Sequence, residues 1–302
     1  MVWAIAGSAL LDWRRSMLQL GGRASSLDWL LDLQGGVSWQ ALQRARLAPD
    51  QALHLRQGLA DLEQIWREHL TSQRPLQYLV GVCPWRDLEL KVAPGVLIPR
   101  QETELLIDLA QEICPNPGTA SPLLWADLGT GSGCLALAMS QLYPEGLGFA
   151  VDQSETALQQ AAWNLRAPIA QGRVQLRSGS WWNPLQDQWG ALQVVVSNPP
   201  YIPSSVWREL EPVVREHEPE LALNGGPDGL DAIRRIADGA WQALAPGGWL
   251  LLEHHHDQSE TVLDLLEQAG LDTVSAHQDL EGVKRFARAR RPLLNAGGRR
   301  CL

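Results

Sequence analysis

Asn198-Pro199-Pro200-Tyr201 follows directly on the apolar run Leu192–Val196, and its residue types suit one task. The asparagine brings an amide oxygen. The successive prolines fix φ at about −65° and remove two backbone donors, so the turn presents acceptors and one flat ring. Such a surface holds a planar –NH2 group, of the kind found on adenine or on a glutamine side chain. An amide nitrogen is a poor nucleophile because its lone pair is delocalised into the carbonyl. Acceptors at the Asn198 side chain and the Pro199 carbonyl would bond its hydrogens and aim it at an electrophilic methyl group. Those bonds strengthen as the nitrogen becomes tetrahedral and positive, and positioning for in-line displacement supplies much of the remainder. Tyr201 would pack on the planar group. No strong general base is needed, since the methylated nitrogen is very acidic. The chemistry implied is methyl transfer to a planar nitrogen.

A second constellation is Asp127-Leu128-Gly129-Thr130-Gly131-Ser132-Gly133, between an apolar run and a helical pattern. Its glycines let a ligand approach the backbone, and the helix that follows offers free N–H groups. Loops at the carboxyl ends of strands are where open α/β sheets bind ligands. The dinucleotide fingerprint is not satisfied, because position 134 is cysteine, and there is no P-loop lysine. Asp152 ends the next strand, where a carboxylate can accept both ribose hydroxyls of a nucleoside. Alone it would read as an acid favoured by a helix N-terminus; with the glycines, ribose binding is the better reading. Trp181, in Gly179-Ser180-Trp181-Trp182, offers an indole to stack on a base. Packing alone is the competing reading of that pair.

The elements that must position these groups follow from periodicity. From residue 101 strands and helices alternate. Strands are expected at Leu123–Leu128, Leu147–Val151, Arg173–Leu176, Leu192–Ser197, Trp249–Glu253, Thr273–His277 and Val283–Ala289. Helices are expected at Gln101–Ile113, Gly133–Leu142, Ser154–Leu165, Asp228–Leu244 and Gln258–Ala269. That alternation implies an α/β domain with a largely parallel sheet. The prolines after Leu192–Ser197 end that strand at the ligand face, so Asn198 is expected in the same crevice as the glycine loop. Residues 1–73 read as a small all-α bundle. Asp50 is expected to cap a long helix that contains Leu53, Leu55, Leu59, Leu62, Ile65, Trp66 and Leu70 and ends before Pro75. Residues 74–100 are expected to form a β-hairpin linker, with Leu88–Val92 alternating and Pro94-Gly95 turning into Val96–Ile98. Residues 101–291 form the catalytic domain and 292–302 a mobile tail.

Composition narrows the class. A chain of 302 residues with 45% hydrophobic and 20% charged residues is an ordinary globular protein with room for two domains. The 14 tryptophans are taken to fill cores and interfaces. Its four cysteines are far apart, without C-x-x-C, which excludes a zinc framework and fits a reducing cytoplasm. No stretch is long and apolar enough for a membrane span, and Met1–Leu11 lacks the marks of a signal peptide. Residues 1–90 balance nine Lys/Arg against nine Asp/Glu, so the whole net charge of −9 falls on residues 91–302. An acidic catalytic region is a poor match for duplex nucleic acid and a better one for a basic protein. His254-His255-His256 is not expected to bind metal, because adjacent histidines seldom share one ion. Glu209, Glu211, Glu216, Glu218 and Glu220 are expected to be solvated. Glu102 and Glu104 read as acids of a helix's first turn, and Arg100 as part of a charged seam.

The motifs together resemble the protein-glutamine N5-methyltransferases that modify peptide-chain release factors, the HemK/PrmC family. The likeness covers about residues 74–290. It rests on Arg74–Tyr78, Gly81, Leu97–Arg100, Glu102–Glu104, Asp127–Gly133, Val151–Ser154, Ser197–Ile202 and Glu218–Glu220. Leu223–Gly226, Asp228–Leu230, Pro246–Gly248, Asp279–Gly282 and Arg285 complete it. The resemblance implies a Rossmann-like, seven-stranded, mostly parallel methyltransferase sheet. It also implies transfer of a methyl group from S-adenosyl-L-methionine to the glutamine of the release factors' Gly-Gly-Gln tripeptide. Asp127, Gly129, Thr130, Gly131, Ser132, Gly133, Asp152, Trp181 and Asn198 would then hold the cofactor, and Asn198, Pro199, Pro200 and Tyr201 the glutamine. The first 73 residues would recognise the substrate, and the enzyme would be a cytoplasmic monomer without direct nucleic-acid contacts. The sequence departs from the family at Gln101, Ser180 and Gln193, and Ser180 leaves no carboxylate for the adenine amino group. The rivals are a ribosomal-protein glutamine methyltransferase and an adenine N6-methyltransferase, which needs a basic cradle for its extruded base. A non-catalytic module that keeps the fold and an NAD oxidoreductase fit less well.

Overall fold

The structure, a computed structural model, describes residues 3–115 and 122–293. The expected tail therefore lies almost wholly outside the described residues. The chain divides into two units: one runs to Gly81 and takes in Pro212–His217, and the other comprises the described remainder.

In the first unit β1 (Trp3–Ala6) leads through α1 (Gly7–Gln19), α2 (Ala24–Leu33) and α3 (Trp39–Leu47) to β2 (Ala52–Leu55), α4 (Leu59–Ser72) and α5 (Leu76–Val80). The helices enclose Leu10, Leu27, Leu30, Leu31, Leu62 and Trp66, each fully buried. Trp66 donates its indole N–H to the Met17 carbonyl at 3.1 Å, so its polar edge is satisfied inside the core. The expected bundle carries an addition. Leu53 and Leu55 lie not in a helix but in β2, which pairs antiparallel with β1 from Ala6↔Ala52 to Trp3↔Leu55. The helix begins only after Gly58, and Asp50 does not cap it.

The second unit opens on a hairpin of β3 (Val82–Trp85) and β4 (Leu88–Lys91). This corrects the expected register. Leu88–Lys91 pairs backward with Val82–Trp85 across a turn in which Arg86 has φ 50°, and Val96–Ile98 forms no strand. The chain continues as α6 (Leu105–Ile113), β5 (Leu124–Leu128), α7 (Cys134–Leu142), β6 (Leu147–Asp152), α8 (Glu155–Asn164), α9 (Arg166–Ala170), β7 (Val174–Ser178), β8 (Leu192–Ser197) and α10 (Ser204–Trp207). After α11 (Pro212–Arg215), which belongs to the first unit, come α12 (Asp231–Ala243), β9 (Leu244–Glu253), α13 (Ser259–Gln268), β10 (Asp272–Gln278) and β11 (Lys284–Arg290). The strand expected at Trp249 starts earlier, at Leu244, because the Gly247-Gly248 segment is carried as an irregularity in the β8–β9 register.

Strands β5 to β11 form one sheet in the order β10-β11-β9-β8-β5-β6-β7, and its antiparallel pairs are the two made by β11, with β10 and with β9. Successive side chains alternate between faces, so two apolar layers result. Ala126, Val195, Leu250 and Leu252 pack on one side with Ile233, Ile236 and Val262. Trp125, Val194, Val196 and Leu251 pack on the other with Leu106, Leu135 and Met139. Trp125 lies fully buried over its neighbour across the ladder, Gly148, where a Cβ would stand 2.1 Å from the indole. From β5 the chain moves to β6 on one side, while β8 flanks β5 on the other, so the carboxyl ends of β5 and β8 bound the switch-point crevice.

Candidate active site

Three loops meet at that edge. Gly129, Thr130, Gly131 and Ser132 follow β5; Asp152 ends β6; Gly179, Ser180 and Trp181 follow β7. All of them line one crevice with Asn198 and Pro200, and Val96, Leu97, Leu135 and Ala157 supply apolar wall. Asp127, Gly133, Pro199 and Tyr201 belong to the same segments but do not line it.

The glycine loop takes its shape from backbone freedom and from two carboxylates. Gly129, Gly131 and Gly133 have φ of 75°, 54° and 82°, a region that L side chains avoid. Asp127, fully buried below the loop, accepts the Thr130 hydroxyl at 2.6 Å and the Ala136 N–H at 3.1 Å, both on Oδ2. Its Oδ1 is buried without a donor among the described residues. Burial lifts the Asp127 carboxyl to about 7, and the nearby Asp152 charge adds to the rise. Asp152 accepts the Gly131 N–H at 2.9 Å on Oδ2 and the Ser154 N–H at 2.8 Å on Oδ1. Asp152 also lines the crevice, and a carboxylate's two oxygens can accept more bonds than these backbone donors use. Burial raises this carboxyl too.

Trp181 and Trp182 part company. Trp182 is core, donating its indole N–H to Ile236 O at 2.9 Å. Trp181 adopts φ 51° and lies against Gly129, whose Cβ would be 3.4 Å from its ring, leaving it as the one of the pair that lines the crevice.

Asn198 donates through Nδ2 to the Thr103 hydroxyl at 2.9 Å. Thr103 donates to Glu253 Oε2 at 2.7 Å, and Tyr201 donates its hydroxyl to Glu253 Oε1 at 2.9 Å. The Tyr201 hydroxyl is thus committed below the turn. The turn itself is held from behind. Ile202 N donates to Leu223 O at 3.0 Å and Gly225 N to Ile202 O at 2.9 Å, while Gln258 Nε2 donates to Tyr201 O at 2.9 Å. A Cβ at Gly229 would lie 2.2 Å from Tyr201 O, which accounts for glycine there.

Sequence reasoning missed Thr103 and Glu253. Glu253 ends β9 as Asp152 ends β6, and that repeated position was the available signal. The expected solvation of Glu218 is also corrected: it is buried, takes Arg100 at 2.6 Å and accepts the Ile98 N–H at 3.1 Å. Arg100 and the Ile98 backbone N–H between them satisfy both oxygens of the buried carboxyl. His254 is buried as well, with Nδ1 2.8 Å from His255 O. Of the departures, Gln193 uses Oε1 to accept Leu124 N–H at 2.9 Å, an acceptor's task that an acid would also do.

A parallel sheet reversed at one edge, with a glycine loop, an acid ending the next strand and an Asn-Pro-Pro-Tyr turn at its switch point, defines a Rossmann-like methyltransferase. Residues 109–209 match the family model described as "Methyltransferase small domain". The chain is 49% identical to the release factor glutamine methyltransferase of Prochlorococcus marinus, over 94% of this chain and 96% of that one. It is 38% identical to that of Synechocystis sp., over 95% and 97%. Among solved structures it is similar in fold to the hMettl16 catalytic domain bound to the MAT2A 3'UTR hairpin 6 (TM-score 0.54, 12% identity, 68% of this chain and 76% of that one). A methyltransferase from Pyrococcus furiosus is similar also (TM-score 0.50, 16% identity, 69% and 91%). The chain belongs to the release factor glutamine methyltransferase family.

Proposed function

We propose that this protein transfers a methyl group from S-adenosyl-L-methionine to the side-chain nitrogen of the glutamine in the Gly-Gly-Gln tripeptide of peptide-chain release factors. The observation that carries the reading is the state of the Asn198 amide. Its donor end is occupied by Thr103, and Oδ1 has no donor among the described residues, on a side chain that lines the crevice. An acceptor so placed suits a planar –NH2 group. The carbonyl of Pro199, next to the lining residues Asn198 and Pro200 though not itself lining the crevice, accepts no hydrogen bond among the described residues and would serve as a second acceptor. Both bonds would strengthen as the nitrogen gains positive charge.

The crevice fits the cofactor's chemistry. Asp152, which lines the crevice, and Asp127, buried behind it, are both lifted by burial, and a cation bound beside them would favour their charged forms. Asp152 keeps acceptor capacity for ribose hydroxyls, Trp181 an indole face for the base, and Gly129–Ser132 backbone close to the ligand. When bound, S-adenosylmethionine supplies an electrophilic methyl group on a sulfonium cation. The protein's part is to hold the two reactants in line and to keep acceptors on the nitrogen.

Residues 1–73 serve in this reading as the substrate-recognition domain, joined through 74–100 to the methyltransferase domain at 101–291. The enzyme acts as a cytoplasmic monomer on a protein. No helix among the described residues is long and apolar enough to cross a membrane. The test offers isotope-labelled S-adenosylmethionine with purified release factors, ribosomes and duplex DNA in parallel. Label is expected on the release factors. Label on a ribosomal protein or on DNA instead would overturn the substrate assignment.

A further inference from the structure

We propose that Glu253 and Thr103 are positioning residues which dictate which end of the Asn198 amide faces the crevice. The proposal rests on the reading that Asn198 holds the substrate amide and assigns a cause to its orientation. An amide has a donor end and an acceptor end of nearly the same size, and shape alone does not choose between them. The choice is made two residues away. Glu253, only 2% exposed at the end of β9, is an acceptor at both oxygens when ionised. Its Oε1 takes the Tyr201 proton at 2.9 Å and its Oε2 the Thr103 proton at 2.7 Å. Thr103 has one hydroxyl proton, and that proton is now directed to Glu253. Only lone pairs remain on its oxygen for the group 2.9 Å away, so that group must be a donor. Asn198 therefore turns Nδ2 inward and leaves Oδ1 as the acceptor for the substrate. Reversed, Asn198 would set an oxygen against a hydroxyl with no proton to give and would present N–H groups to the hydrogens of the target nitrogen.

The relay spans the fold. Thr103 is 2% exposed in the 3-10 turn Glu102–Glu104 ahead of α6, and its bond to Glu253 joins positions 150 residues apart. Both residues are only 2% exposed, which leaves little room for water to replace the missing partner, so the polarity is enforced. Burial raises the Glu253 carboxyl to about 7; the bonds from Thr103 and Tyr201, and Arg285, favour its charged form, while Glu102 opposes it.

The experiment compares full-length wild type, Thr103→Val and Thr103→Ser. Valine keeps the shape and removes the hydroxyl; serine keeps the hydroxyl. Hydrogen exchange of the Asn198 side-chain amide is followed by NMR in the ligand-free protein, the resonance being assigned by its loss in Asn198→Asp. In parallel, calorimetry measures S-adenosylmethionine binding, and kcat and KM are measured on a release factor. Wild type and Thr103→Ser should exchange slowly, and Thr103→Val roughly tenfold faster or more. Thr103→Val should lose kcat on the order of 10²-fold while cofactor affinity is kept, and Thr103→Ser should recover most of it. Thr103→Val that exchanges and turns over like wild type would overturn the proposal. So would Thr103→Ser that is as impaired as valine, since that result assigns the effect to packing. If wild type methylates no release factor, the proposed substrate falls, and the exchange rates still decide the polarity.

Discussion

Asp127 and Asp152 carry the electrostatics of the crevice at the scale of single residues. Burial holds both carboxyls above their usual range, Asp127 at about 7, and the two charges oppose each other. A bound sulfonium cation favours the ionised forms, so binding below that value must expel a proton and is weakened as pH falls. We predict that S-adenosylmethionine affinity rises from about pH 6 to about pH 8 and then levels, with proton release seen by calorimetry in buffers of different ionisation heat. Asp127→Asn should weaken binding and flatten that profile. Glu253 is governed by the same physics but is read through turnover and stability. Glutamine offers one acceptor where two hydroxyls now donate, so Glu253→Gln should lower kcat roughly 10-fold or more with little change in cofactor affinity. Burial raises the Glu253 carboxyl to about 7 in the folded state. Between the ordinary glutamate value and that one, the folded state binds more protons than the unfolded state. Stability therefore falls as pH rises through that window. The thermal midpoint of ligand-free wild type should decline from about pH 5 to about pH 8 more steeply than that of Glu253→Gln.

At the scale of elements, the Asn198–Tyr201 turn is rigid because a second loop backs it. Gly229 has φ 77°, and a Cβ there would lie 2.2 Å from Tyr201 O and 2.5 Å from Gln258 Nε2. Gly229→Ala should cost about 1–3 kcal/mol in denaturant unfolding and reduce kcat more than cofactor binding, because the strain falls on the substrate turn. The strands and helices around the site were legible in the sequence because each is a strongly periodic or apolar run bounded by glycine or proline. Leu192–Ser197 followed by two prolines is the clearest case, and its bounds agree with the structure. The hairpin was not legible in register: Leu88–Lys91 alternates correctly, but alternation does not say whether the partner lies before or after it. Leu53 and Leu55 fit a helical stripe equally well, and only pairing with Trp3–Ala6 makes them strand. Glu218 read as solvated because nothing local marks its partner, Arg100, which precedes it by 118 positions.

The arrangement of the whole molecule turns these local facts into one site. Alternation of strands and helices implied a parallel sheet. The order that sets β5 beside β8, and so brings the glycine loop to the Asn-Pro-Pro-Tyr turn, is a property of three-dimensional packing. The Thr103–Glu253 relay behind Asn198 was hidden for the same reason, since it joins a turn before α6 to the end of β9. The acidic balance of residues 91–302 and the family to which the chain belongs both favour a protein substrate over duplex nucleic acid. The most direct measurement is tandem mass spectrometry of a release factor after incubation with S-adenosylmethionine and either wild type or Asn198→Ala, with cofactor affinity measured for both. The methyl group should appear on the side-chain nitrogen of the Gly-Gly-Gln glutamine with wild type, and be absent with Asn198→Ala at unaltered cofactor affinity. A methyl group on any other atom, or methylation by Asn198→Ala at the wild-type rate, would contradict the role given to Asn198.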